Sequence, residues 1–150
     1  SQHYYYTKED RTMLLPEIDE KATIRGCKRK LREYPRWREI AHDSAEQKIT
    51  QEFTFMPRGS SGVSRPVENI AVRRVDAMNE LEAIEQAVSG LYRPDYRRIL
   101  IEKYLAYPPK PNWQIAQAIG FERTAFQELL NNAILAFAEL YRDGKLVVEC

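Results

Sequence analysis

Long apolar runs, cysteines and strand-like alternation are all scarce in this 150-residue chain. No apolar stretch approaches the roughly 18 residues that would mark a membrane-spanning helix. The opening stretch "SQHYYYTKEDRTMLL" lacks the apolar core of a secretory signal. There are 2 cysteines, Cys27 in a charged helical pattern and Cys150 at the last position, which make neither a disulfide framework nor a metal-ligand spacing. The expectation is an intracellular protein of a reducing compartment, with no membrane partner. The 2 histidines, His3 and His42, stand far apart without cysteines at ligand spacing, so no metal site and no cofactor are expected. A Gly-rich phosphate loop, a nucleophile elbow and a catalytic His/Cys pair are missing as well, which argues against an enzyme. Glu80, Glu82 and Glu85 read as a solvated helix face rather than as paired catalytic acids.

Strand signals reduce to two. "ITQEFTF" (Ile49–Phe55) alternates apolar and polar residues, and "KLVVE" (Lys145–Glu149) follows the turn dipeptide Asp143-Gly144. Two such segments could pair with each other, but they do not make a β protein. Charge is balanced overall, at +1, yet unevenly distributed. Between Lys21 and Arg38 the bases Lys21, Arg25, Lys28, Arg29, Lys30, Arg32, Arg36 and Arg38 face one acid, Glu33. From Trp113 onward acids outnumber bases. A polyanion-binding surface is therefore expected in the N-terminal third, with Lys28, Arg29, Lys30 and Arg32 as phosphate contacts. The aromatic run Tyr4–Tyr6 and Trp37 reads as local core or a docking patch.

Helical periodicity is what the chain has in quantity. Asp19 can cap a helix from about Glu20 to Tyr34, which Pro35 is expected to end. Arg36–Gln47 carries Trp37, Ile40 and Ala41 at helical spacing. "MPRGSSGVSRPVEN" (Met56–Asn69) then holds 2 prolines, 2 glycines and 3 serines, the composition of a mobile linker. Beyond it Val75, Met78, Leu81, Ile84 and Val88 recur at three- and four-residue steps up to Gly90, a natural stop. Pro94 opens another helix, with Tyr96, Ile99, Leu100 and Tyr104 expected inward. "YPPKPN" (Tyr107–Asn112) separates it from the next. The predicted fold is mainly α: a small basic helical unit over 1–55, a linker over 56–69, and a helical bundle over 70–150.

The most informative stretch is "NWQIAQAIGFERTAFQELLNNAILAFAEL" (Asn112–Leu140). A helix-turn-helix needs a small residue inside its first helix, a glycine at the turn and an apolar residue after it. It also needs polar side chains opening the second helix, which lies in the major groove. Ala116, Gly120 and Phe121 fill the first three positions, with Trp113, Ile115 and Ile119 as the first helix's buried face. Arg123, Thr124, Gln127, Glu128 and Asn131 would point outward, opposite Phe126, Leu129, Leu130 and Ala133. Arg suits guanine and Gln suits adenine at base edges. Such a hairpin also occurs in plain helical bundles. The acidic balance of this half calls for extra basic surface, for which Arg97, Arg98 and Lys110 are candidates beside the N-terminal set.

"WQIAQAIGFERTAFQELLNNAILAFAELY" resembles region 4 of bacterial sigma factors, a helix-turn-helix that reads the promoter's upstream element. That resemblance places base-contacting positions at Arg123, Thr124, Gln127 and Glu128. With "LLPEIDEKATIRGCKRKLREYPRWREIA" (Leu14–Ala41), the linker and the paired helices, the chain resembles the autolysin regulatory protein (ArpU) family from Leu14 to Tyr141. The resemblance implies a phage or prophage transcriptional regulator, an activator of late genes in the bacterial host cytoplasm. Its implied partner is double-stranded DNA at a late promoter or operator. RNA polymerase and a second copy of the chain are further candidates. Two alternatives stay open: a sigma-like factor docked on RNA polymerase, and a DNA-packaging protein like a phage small terminase subunit. The latter would assemble into rings.

Overall fold

The computed structural model describes residues 15–42 and 67–150. Tyr4–Tyr6, His3, Ile49–Phe55 and most of the expected linker lie outside the described residues. The described residues hold six α-helices: α1 (Glu20–Arg32), α2 (Tyr34–His42), α3 (Val67–Ser89), α4 (Pro94–Leu100), α5 (Asn112–Ile119) and α6 (Arg123–Leu140). No strand occurs among the described residues, so the chain is mainly α.

Local chemistry accounts for several helix ends. Asp19 caps α1, its Oδ1 accepting the Ala22 N–H at 3.1 Å. Arg29, Lys30 and Arg32 occupy the last turn of α1, where cations complement the exposed carbonyls. Thr23, Cys27 and Leu31 recur every four residues and are the buried stripe. Pro35 does not simply end this helix. α1 stops at Arg32, and Pro35 sits in the first turn of α2, where a missing N–H costs nothing. Of the expected Arg36–Gln47 helix, α2 supplies the part up to His42, and residues 43–47 lie outside the described ones. The next helix begins at Val67, inside the last residues of the expected linker. Pro94 opens α4 as expected, and Arg93 is its N-cap. α4 runs on into a widened turn, Ile101–Leu105, closed by the Ala106 N–H bonding the Ile101 carbonyl at 2.7 Å.

The core runs along α6. Phe126, Leu129, Leu130, Ala133, Ile134, Phe137 and Ala138 are buried on it. Removing each large apolar side chain of this kind from water contributes about 1.5–3 kcal/mol. α1 and α4 pack on α6, while α2 packs on α3. Cys27, Leu31 and Tyr34 therefore belong to the same core as Ile84, Ile99, Leu130 and Phe137. The expected units 1–55 and 70–150 share that core through α1 and α2. On α3, Ile84 and Val88 are buried and Leu81 is partly so, but Val75 and Met78 are 54% and 51% exposed. The apolar stripe outruns the neighbours that could cover it.

The last residues close the molecule. Tyr141–Gly144 turns the chain through left-handed conformations at Arg142, Asp143 and Gly144. The tail then runs back along the start of α1. Asp19 N–H donates to the Val148 carbonyl at 2.8 Å and Cys150 N–H to the Glu17 carbonyl at 3.1 Å. Lys145–Glu149 thus makes a single antiparallel bridge, Glu149 with Ile18, and its partner is this segment ahead of α1.

Candidate nucleic-acid interface

α5 and α6 are joined by a tight turn. Gly120 caps α5 at φ +78°, the left-handed region that favours glycine, and the Phe121 N–H returns to the Ala116 carbonyl at 2.9 Å. Ile115 and Ala116 are buried against the core and Ile119 is partly buried. Trp113 departs from the expected inner face: it is 68% exposed. Phe121 is 39% exposed and covers the turn only in part. The reason is the shortness of α5, whose eight residues offer one buried stripe, filled by Ile115 and Ala116.

On α6 the polar and apolar faces separate as the periodicity predicts. Arg123, Thr124, Gln127 and Glu128 are exposed and Asn131 is half-buried, opposite buried Phe126, Leu129 and Leu130. Gln127 Nε2 donates to Asn131 Oδ1 at 3.1 Å, one turn along the helix, which orients both amides. Between α5 and the start of α6 lies a cleft of about 820 Å³, lined by Lys103, Asn112, Trp113, Arg123 and Gln127 among others. Donors, acceptors and an aromatic face thus border one concave surface.

The structure sorts the basic residues named from sequence. Lys28 is half-buried, and Arg29 and Arg32 are exposed on α1. Lys30 is engaged within the protein, 3.1 Å from both Glu33 Oε1 and Glu80 Oε2. Arg142 Nη2 sits 3.1 Å from Glu80 Oε1, and the Tyr141 hydroxyl donates to the same carboxylate. Burial alone would raise the Glu80 pKa, but Tyr141, Lys30 and Arg142 outweigh it and hold the carboxyl below its ordinary range. Burial likewise disfavours the Lys30 ammonium, yet Glu33 and Glu80 lift its pKa above the usual lysine value. Glu80 is therefore a structural acid, not part of a solvated face. Arg97 donates to the Leu91 carbonyl at 2.5 Å, and Arg98 Nε lies 3.0 Å from Glu102 Oε2. Lys110 is 3.7 Å from the other oxygen of Glu102.

The chain is 88% identical over 137 residues to a protein of Streptococcus phage O1205 that carries the name of an autolysin regulatory protein, ArpU. The match covers 91% of this chain and 99% of that relative. The chain belongs to the ArpU family. A more distant ArpU from Enterococcus hirae is 25% identical over 134 residues, covering 89% of this chain and 96% of its own length. No family model matches the chain, and no solved structure does.

One further side chain borders the cleft. Lys103, in the widened turn after α4, donates to Asn112 Oδ1 at 2.8 Å at the start of α5. The sequence offered no signal for it. A lysine between Glu102 and Tyr104 looks like any solvated helix residue until the widened turn is packed beside α5.

Proposed function

We propose that this ArpU-family chain is a sequence-specific DNA-binding regulator that activates phage late genes. The observation that carries this reading is the composition of the α6 opening. After a left-handed glycine turn it presents Arg123, Thr124 and Gln127 to solvent while its opposite face is locked into the core. A helix held in this way can enter a major groove without disturbing the fold. Arg123 reads guanine and Gln127 reads adenine, with Thr124, Glu128 and Asn131 assisting at neighbouring positions. The names of the phage and Enterococcus relatives support a regulatory role. RNA polymerase is the second partner an activator needs.

The test is binding of the full chain to a duplex it selects from a randomised library, titrated beside a scrambled duplex of the same composition. Preference for the selected duplex that Arg123→Ala abolishes supports the reading. Equal, weak binding to both overturns it and leaves α5 and α6 as a packed hairpin.

A further inference from the structure

α1 contacts the widened turn Ile101–Leu105. Cys27 and Leu31 of α1 share the core with Tyr104 of that turn. The side chains next to these buried anchors are Lys28 and Arg32 on one element and Lys103 on the other. Burial, and then repulsion from Lys28 and Arg32, hold the Lys103 ammonium below the usual lysine range. The field of Arg32 also reaches the Tyr104 phenol. Lys28 and Arg32, one helical turn apart on α1, and Lys103 are thus carried by two elements in contact.

None of the three has an acidic partner among the described residues. Lys103 bonds the neutral Asn112 amide and lies over the Tyr104 ring, 5.3 Å from its centroid, with no carboxylate beside it among the described residues. Lys30, Arg93, Arg98, Lys110 and Arg142, by contrast, all lie within 4 Å of a carboxylate. Gathering like charges without a counter-ion works against the folded state, and an anion placed among them reverses that cost. Lys103 also lines the cleft that Arg123 and Gln127 border, so such an anion would lie beside the reading helix.

We propose that Lys28, Arg32 and Lys103 form one phosphate clamp, built by α1 and the turn after α4, that grips the DNA backbone next to the α5–α6 cleft. The proposal rests on the DNA-reading assignment above and adds what that assignment lacked, a source of affinity for a reading helix with a single cation. It also selects among the basic residues: Lys30, Arg97 and Arg98 are engaged within the protein and stand outside the clamp.

The experiment measures binding to the selected and the scrambled duplex from about 50 to 200 mM salt. The chains compared are the full-length wild type, Lys103→Gln and the triple change Lys28→Gln/Arg32→Gln/Lys103→Gln. Lys103→Gln should flatten the salt slope by about 1 and the triple change by about 3, with both duplexes weakened alike. The melting temperature of Lys103→Gln should stay near that of the wild type, since glutamine keeps an N–H donor for the Asn112 amide. Unchanged slopes in both variants overturn the clamp, whatever the melting temperatures and even where Arg123→Ala abolishes sequence preference. If the wild type prefers neither duplex but the slopes still flatten, the base-reading assignment fails and the clamp stands. Absence of any DNA binding by the wild type overturns both.

Discussion

The Val148 N–H donates to the hydroxyl of Thr23 at 2.9 Å, joining positions 125 apart in sequence. Thr23 is fully buried on α1, and this contact gives its hydroxyl a partner while the tail gains an anchor. Thr23→Val keeps the shape and removes the acceptor. It should lower unfolding stability by about 1 kcal/mol in a denaturant titration, more if the Val148 amide finds no water. Thr23→Ser, which keeps the hydroxyl, should cost less than Thr23→Val if the bond rather than packing matters.

The Glu80 network predicts a pH dependence. Its folded-state pKa lies below the ordinary value of 4.5, so the network stabilises the protein above that value and the stabilisation is lost as pH falls through the folded pKa. Glu80→Gln should destabilise by about 1–2 kcal/mol at neutral pH, between the costs typical of exposed and buried pairs. Stability measured from neutral pH downward should show the gap between wild type and variant closing below about pH 4.5. A gap independent of pH would mean that packing, not charge, is what Glu80 supplies.

The two cysteines should separate cleanly by reactivity. Cys27 is buried, and burial pushes its pKa up to about 12, so almost no thiolate exists near neutral pH. Cys150 is exposed. A thiol-reactive chromogenic disulfide should label one cysteine in the folded protein and both after denaturation. Rapid labelling of both in native buffer would show that α1 leaves the core readily.

Gly120 tests the turn. A Cβ placed there meets nothing within 4 Å, so a substitution pays only for its left-handed φ of +78°. Gly120→Ala should cost about 1 kcal/mol in thermal unfolding, and Gly120→Asn less, because asparagine tolerates this conformation better. Equal, large losses for both would point to crowding instead.

Arg123→Ala tests the reading helix without touching the core. It should weaken binding to the selected duplex by about 1–3 kcal/mol and relax preference at one base position. Its melting temperature should match the wild type, since Arg123 is exposed.

Much of the helical framework was legible because its signals are local. Asp19 caps α1, Pro94 opens α4 and Gly120 ends α5 through bonds and dihedrals that span a few residues. The two faces of α6 were legible for the same reason, since Phe126, Leu130 and Phe137 recur with the helical period. Periodicity misled where burial depends on a neighbour. Val75, Met78 and Trp113 fit an apolar stripe but have little packed over them.

What the sequence determined by itself was the set of helices and the polar opening of α6, because caps, turns and period depend on residues within reach along the chain. Tertiary structure alone decided which charges are spoken for. Lys28 and Lys30 are two residues apart and look alike in sequence, yet Lys30 turns to Glu80 on α3 while Lys28 makes no ion pair with a described carboxylate. Adjacent positions on a helix point in different directions, so the partner of each is set by whichever element packs there. No local pattern encodes that choice.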